Sequence, residues 1–319
     1  MGAVLGIAKM VAVRLALAAA TIWAVATLVF FGMQMIEGSY IDVFFPLATP
    51  EQKSQLTAEY GLDGSAVQQY FGWLRAMLDG NFGTSLVTKE PVLDELVRRL
   101  PLTLELGVLA LIIIALIGFP LGVLAGLKDK SRLSQTGRVG ATVMMSIPDF
   151  VLGSFCVWLF SVYGLGLKAG GWVPISEGLG ANLQHALLPA IVLSLTGLGL
   201  ILATARSGVL QVRGQDHVLA AVSRGLTPGT ILRRDILRNT LIPVLTLFAI
   251  IAGYLLGGAV LVETVFNLDG VGRLLAKSIG QRDYPVVQAG VILIAAVFVL
   301  LNTIADLLYA VIDPRIGGR

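Results

Sequence analysis

Asp216-His217-Val218-Leu219-Ala220-Ala221-Val222-Ser223-Arg224-Gly225-Leu226-Thr227-Pro228 forms the centre of a basic, amphipathic segment, residues 206–240, lying between two long apolar runs. The order of residue types predicts one helix, a break, and a second helix. Gly225 can take the left-handed conformation that closes a helix, Thr227 can N-cap the next one, and Pro228 suits its first turn. A bent helix pair at the surface of a membrane protein is a shaped knob, and such a knob is built to be held by a partner.

Composition places the flanking runs in a bilayer. The chain has 319 residues, of which 56% are hydrophobic and 13% charged, with mean hydropathy +0.84. A soluble domain carries about 25% charged residues. Six stretches almost without charge, at about 11–33, 102–127, 139–163, 186–206, 241–262 and 286–312, approach or exceed the ~20 residues that cross a membrane. Helices are the expected spanning form because no water is present to satisfy the backbone, and the alternation of a membrane barrel is missing. Lys9 and Arg14 precede the first run as they would in a secretory signal, but its body from Leu15 to Met33 is longer than a signal core. A retained helix is expected.

Basic residues set the orientation. The loop near 128–138 holds Lys128, Lys130, Arg132 and Arg138, and 206–240 holds Arg206, Arg213, Arg224, Arg233, Arg234 and Arg238. The opposite loops hold Lys168 in 164–185 and Arg273, Lys277 and Arg282 in 263–285. Ten against four puts both termini and the bent pair in the cytoplasm. Arg98 and Arg99 run against this trend, at the end of a long acidic-rich region where the rule is weak. The net charge of +3 reflects the inner collar, not a nucleic-acid surface.

Residues 34–100 form the only substantial region outside the membrane. A helix is expected from Thr49-Pro50-Glu51 and another over 66–78, where Val67, Tyr70, Phe71 and Leu74 share a face. Turns at Gly61–Gly64 and at Gly80-Asn81-Phe82-Gly83-Thr84-Ser85 and a short helix from Pro91 to Leu100 complete it. The region is too small for a robust core of its own, so it should pack on membrane helices. It reads as a structural cap or as a scoop receiving a solute-delivering partner.

No catalytic constellation stands out. A phosphate-cradling loop needs G-x-x-x-x-G-K-[ST], and the nearest stretch, Val271 to Ser278, has valine and alanine at the two glycine positions. It reads instead as an amphipathic interfacial or re-entrant helix. Cys156 is the single cysteine, which rules out an intrachain disulfide, and His185 and His217 are too few and too far apart for a metal cluster. His185 reads as a cap or packing group at a helix end.

Glu105, Asp149, Asn302 and Asp306 lie within or at the edges of spans, where ionisable and polar groups face protein or a water path. Pro148 should kink the third span. Ser146, Pro148 and Asp149 therefore suit a hinge or translocation path on one reading, and an interhelical hydrogen bond or snorkelling side chain on the other. For Asp306 the structural reading is preferred. Gly197 and Gly199 on the fourth span, with Gly253, Gly257 and Gly258 on the fifth, suit close helix contacts within the chain or with a second copy-like subunit.

Taken together, these motifs resemble the permeases of binding-protein-dependent ABC importers, in the oligopeptide/dipeptide/nickel group, B-type half. The resemblance runs nearly end to end, through Gly61-Leu62-Asp63, Gln69-Tyr70, Gly80 to Ser85, Pro91-Val92, Leu100-Pro101-Leu102-Thr103-Leu104 and Ser146-Ile147-Pro148-Asp149-Phe150. It continues through Asp216 to Leu226, Leu237 to Pro243, Glu263-Thr264-Val265-Phe266, Gly270-Val271-Gly272, Arg282-Asp283-Tyr284-Pro285, Asp306 to Ala310 and Asp313-Pro314-Arg315. Glu37-Gly38-Ser39-Tyr40 departs from the family's usual turn, as do Asp235, Val222 and Asp269 from its common histidine, arginine and proline.

The resemblance implies that 216–228 is a coupling helix docking into a groove on a cytoplasmic ATPase, with Asp216, His217, Val218, Ala221, Arg224, Gly225, Leu226, Thr227 and Pro228 as its residues. Val218, Ala221 and Leu226 would supply apolar contacts; Asp216 and Arg224 suit the two ends of the helix dipole. An amphipathic helix resting on anionic membrane lipid is the bland alternative. The implied assembly holds a second related permease in a heterodimer, two ATPase subunits carrying ATP and Mg, and an external solute-binding protein.

The expected fold is all-α and polytopic, with 1–33 as N-terminal segment and first transmembrane helix, 34–100 as external scoop-like region, and 101–319 as a five-helix core. The expected function is ATP-driven uptake of oligopeptides or dipeptides across the inner membrane, with no enzymatic activity or bound cofactor in this subunit. A proton-coupled secondary transporter using Asp149 or Asp306 is the alternative.

Overall fold

The computed structural model describes residues 2–35, 40–59 and 63–312. Glu37-Gly38-Ser39, Gly61-Leu62 and Asp313-Pro314-Arg315 lie outside the described residues, as does the side chain of Asp306. The helices in chain order are α1 (Gly2–Gln34), α2 (Tyr40–Phe44), α3 (Pro50–Glu59), α4 (Ala66–Leu78), α5 (Val92–Ile113), α6 (Phe119–Leu127) and α7 (Arg132–Ser146). They continue as α8 (Asp149–Tyr163), α9 (Leu179–Arg213), α10 (Asp216–Ser223), α11 (Pro228–Ile231), α12 (Arg238–Val265), α13 (Val271–Gln281) and α14 (Tyr284–Ile312). Wide π turns, Ile114–Gly118 and Leu232–Leu237, join α5 to α6 and α11 to α12. No strand occurs among the described residues; Thr84 and Pro91 form an isolated bridge.

Among the described residues, five helical runs are long and apolar enough to cross a membrane: Ala12–Gln34, Val92–Leu127, Leu179–Arg213, Pro228–Val265 and Tyr284–Thr303. A sixth exists if Ser134–Ser146 and Asp149–Tyr163 count together, although 98° separates them. This corrects the expected kinked third span, which is broken outright. Ile147 is extended (φ −95°, ψ 123°) because the following proline ring disfavours the helical region, and Pro148 itself occupies the N-cap of α8. The helix expected to stop at Leu100 instead runs on through Pro101. Pro101 lies exposed and forfeits a single ladder hydrogen bond, while Leu102 and Leu106 beyond it are buried.

Contacts divide the chain into two compact units, Met1–Arg98 with Leu274–Val299, and Arg99–Arg273 with Leu300–Arg319. In the first, α1 and α4 meet through aromatic rings. Phe30 lies 5.3 Å from Tyr70 and 5.2 Å from Trp73, and the Tyr70 hydroxyl shares a 2.7 Å hydrogen bond with Thr27. Ser65 and Gln68 form a reciprocal capping box that starts α4. Buried Ser85 donates to Asp283 at 2.5 Å, and the Leu86 N–H donates to the same carboxylate at 3.1 Å. Two motifs 198 residues apart in the chain are thereby joined.

In the second unit α9 is the axis of the core. Gly118, Gly122 and Gly126 recur every fourth residue and lie directly on it. A Cβ at Gly122 would stand 2.6 Å from the Leu202 carbonyl oxygen, and one at Gly126 2.6 Å from Val209. From the other side Gly197 admits Ile114 and Ile251, and Gly199 admits the Ala141 carbonyl. Glu263, fully buried near the end of α12, accepts from the Thr103 hydroxyl at 2.7 Å and the Arg273 N–H at 2.9 Å. Thr103 in turn accepts from the Val271 N–H at 3.0 Å. Gly270 leaves the space this carboxylate fills, since a Cβ there would overlap Glu263.

Candidate coupling site and membrane-path residues

The break in the 216–228 segment is built from backbone geometry. The Leu226 N–H donates to the Ala221 carbonyl at 3.2 Å and the Gly225 N–H to Val222 at 2.9 Å, the paired bonds of a Schellman stop. That stop requires a left-handed residue, and Gly225 has φ +75°. The Arg224 guanidinium adds a 3.2 Å bond to the Ala220 carbonyl. Thr227 takes the extended N-cap conformation and Pro228 the first helical position, but the Thr227 hydroxyl meets that of Thr230 at 2.9 Å rather than a backbone N–H. The first turn is closed through the Thr227 carbonyl, which accepts from Thr230 and Ile231.

Helical spacing decides which face is free. Val218 and Ala221 point inward and join the cluster that includes Val209, Val212, Ile231 and Ile236. They cannot supply the outward contacts expected of them, because they anchor α10 to its own unit. Asp216, His217, Leu219, Ala220, Val222, Arg224, Gly225, Leu226, Thr227 and Pro228 are exposed. Leu219 and Val222 are more than half exposed and, with Leu226, form the apolar part of the outer face. The α11 limb continues through the π turn into α12, so Pro228–Val265 is a single long helical run and not a loop followed by a span at 241–262.

Arginines of the same region bind neighbouring helix ends. Arg213 donates to the Gly126 and Leu127 carbonyls at 3.2 and 2.9 Å, capping α6, and Arg206 donates to Ser134 at 3.0 Å and pairs with Asp129.

The expected hinge residues separate. Asp149 is buried at the start of α8 and accepts from the Thr196 hydroxyl on α9 at 2.9 Å. Ser146 is exposed and bonds back to the Thr142 carbonyl at 2.7 Å, and Pro148 is exposed at the corner. The structure thus brings Asp149 to Thr196 and not to Ser146. Glu105 accepts from Trp172 at 3.0 Å and Asn182 at 2.7 Å, holding the 164–182 connection to α5, and His185 bonds the Gly170 carbonyl at 2.9 Å. Thr196, Leu219 and the Gly118–Gly122–Gly126 seam escaped the sequence reading. Only the seam had a signal, its four-residue spacing within an apolar run.

Residues 118–318 match the family model described as binding-protein-dependent transport system inner membrane component. The dipeptide transport system permease protein DppB of Escherichia coli is 36% identical, the alignment covering 96% of this chain and 98% of that protein. The probable peptide ABC transporter permease protein y4tP of Sinorhizobium fredii is 35% identical over 85% and 87% of the two chains. The glutathione transport system permease protein GsiC of Salmonella choleraesuis is 35% identical over 93% and 94%. Among solved structures, an inward-facing MetNI methionine ABC transporter chain is similar in fold, with TM-score 0.56 at 20% identity, covering 70% of this chain and 99% of that one. A helical, multi-pass chain whose match spans most of its length and whose relatives align nearly end to end belongs to the binding-protein-dependent transport system inner membrane component family, the permease components of ABC transporters.

Proposed function

We propose that this chain is one half of the permease of an ATP-driven importer of small peptides, working with a second related permease, two cytoplasmic ATPases and an external solute-binding protein. The bent pair α10–α11 carries the reading. It is anchored inward by Val218, Ala221 and Ile231 and offers outward a small apolar patch flanked by Asp216 and Arg224. A surface of that kind transmits force because it is packed against its own unit and one limb is continuous with a membrane-crossing helix. Relatives named for peptides, dipeptides and glutathione support a short peptide as the cargo. The chain has no phosphate-cradling loop of its own, so ATP and Mg belong to the ATPase partners. An exposed face on α12, Ile250, Tyr254, Gly257 and Leu261, suits the second permease half.

Gly225→Val tests this. A side chain at φ +75° costs about 1–2 kcal/mol and disrupts the stop between the limbs. ATP-driven uptake of a labelled dipeptide into vesicles should fall by about tenfold or more, with the chain still inserted and at normal abundance. Uptake that persists without any ATPase and follows an imposed proton gradient would overturn the proposal.

A further inference from the structure

Beside the aromatic contact of α1 and α4 lies a cavity of about 510 Å³, closed on its third side by the start of α14. Phe30, Trp73 and Tyr284 give it apolar walls. Gln34 and Gln69 also line it, but their amides are spent in holding the wall: Gln34 donates to Gln69 at 2.9 Å and Gln69 to the Gly64 carbonyl at 2.9 Å. Gln288 is different. It lines the cavity with only 9% of its surface exposed, and its amide makes no hydrogen bond to any described residue. The amide is not among the sealed unpaired groups of the described residues, so it faces the solvent of the cavity and is free to bond an occupant.

The size and chemistry of the walls define that occupant. Small-molecule sites run to about 300–1,000 Å³, and one water takes about 30 Å³, so a single water would leave most of this space unfilled. A side-chain amide offers both a donor and an acceptor, the complement of a peptide group. The aromatic faces suit an apolar side chain. Asp63 at the rim has no ion pair among the described residues, and no lysine or arginine lines the cavity. The walls accommodate a cation and hold no positive charge to favour an anion.

We propose that this cavity is a binding site for a small peptide on the permease itself, with the ligand's amide on Gln288, its apolar side chain among Phe30, Trp73 and Tyr284, and its ammonium group toward Asp63. It lies wholly within the first unit and is separate from the coupling surface. The proposal rests on the importer reading only for the choice of ligand.

The full chain in lipid nanodiscs, without the external binding protein, is titrated with alanyl-phenylalanine amide and with its N-acetylated form. Saturable binding is expected for the first, weakened about tenfold by acetylation, which removes the charge facing Asp63. Gly72→Leu is the blocking variant. A Cβ there meets no atom within 4 Å and leucine is a better helix former than glycine, so the side chain enters the cavity without disturbing α4. It should weaken binding about tenfold or more. Gln288→Leu should weaken binding to a similar degree without lowering the thermal midpoint, because the amide holds no neighbouring residue. Absence of saturable binding, equal binding of the acetylated peptide, or unchanged affinity in Gly72→Leu or in Gln288→Leu would each overturn the proposal. ATP-driven uptake measured on the same complex keeps the two readings apart: intact uptake without binding removes the site and leaves the importer standing.

Discussion

Glu263 shows what a single carboxylate can hold together. Its two oxygens take a hydroxyl from α5 and a backbone N–H from the first turn of α13, so three helices depend on one side chain. Glu263→Ala strands both donors in a buried site and should cost about 2–4 kcal/mol, read as a lower thermal midpoint in detergent; an unchanged midpoint would show that the three helices are held by something else. The sequence reading found Glu263 inside a recognisable motif but not its task, because one partner lies 160 residues away. The same limit applies to Asp149, whose burial pattern was legible as a membrane-edge carboxylate while Thr196, 47 residues on, was not. Gly225, by contrast, was legible in full: the requirement for positive φ is a local property, written in the residues around it.

Among the elements, the seam of α6 on α9 depends on the absence of side chains. At Gly122 a Cβ meets a backbone carbonyl and the methyl of Ala205 at 2.7 Å, neither of which can rotate away. Gly122→Leu should therefore lower stability by about 3 kcal/mol or more, whereas Gly107→Leu, with nothing within 4 Å of its Cβ, should melt as the unaltered chain does. Equal melting of the two variants would refute the seam. Helix identity was readable from hydropathy here, but helix ends were not. Charge near 128–138 suggested a loop, yet α7 begins at Arg132, and the helix expected from Pro228 runs on without a gap into the span expected at 241–262. Arginines remain compatible with helix when they lie exposed, as Arg233, Arg234 and Arg238 do. The severity of the break at Pro148 was also hidden, since a proline in sequence fixes the place of a bend and not its angle.

At the scale of the molecule, the membrane class followed from composition alone, because so little charge leaves no soluble arrangement for these apolar runs. The side on which the bent pair lies rests on the distribution of arginine and lysine. In a Cys156→Ser background, Arg224→Cys should resist a membrane-impermeant maleimide in intact cells and react in inside-out vesicles; the reverse pattern would place the pair outside and end the ATPase reading. What the sequence could not supply at this scale was the division of the chain, in which residues 274–299 group with the first 98 residues although 175 positions separate them.

The π turn at Leu232–Leu237 has a bearing on how such a chain can diverge. A wide turn absorbs one residue more than an ordinary helical turn, whereas a residue added to or removed from regular helix rotates everything beyond it by about 100°. Thr240, Val244 and Ile251, all buried, keep their inward azimuth because the turn takes up its extra residue locally. Point changes in the exposed Arg233 and Arg234 leave that azimuth alone, and loss of one residue would close the turn to an ordinary helical one with the azimuth kept, whereas a further residue would swing α12 toward lipid. This stretch therefore tolerates a change of charge and the loss of one residue, but not a gain.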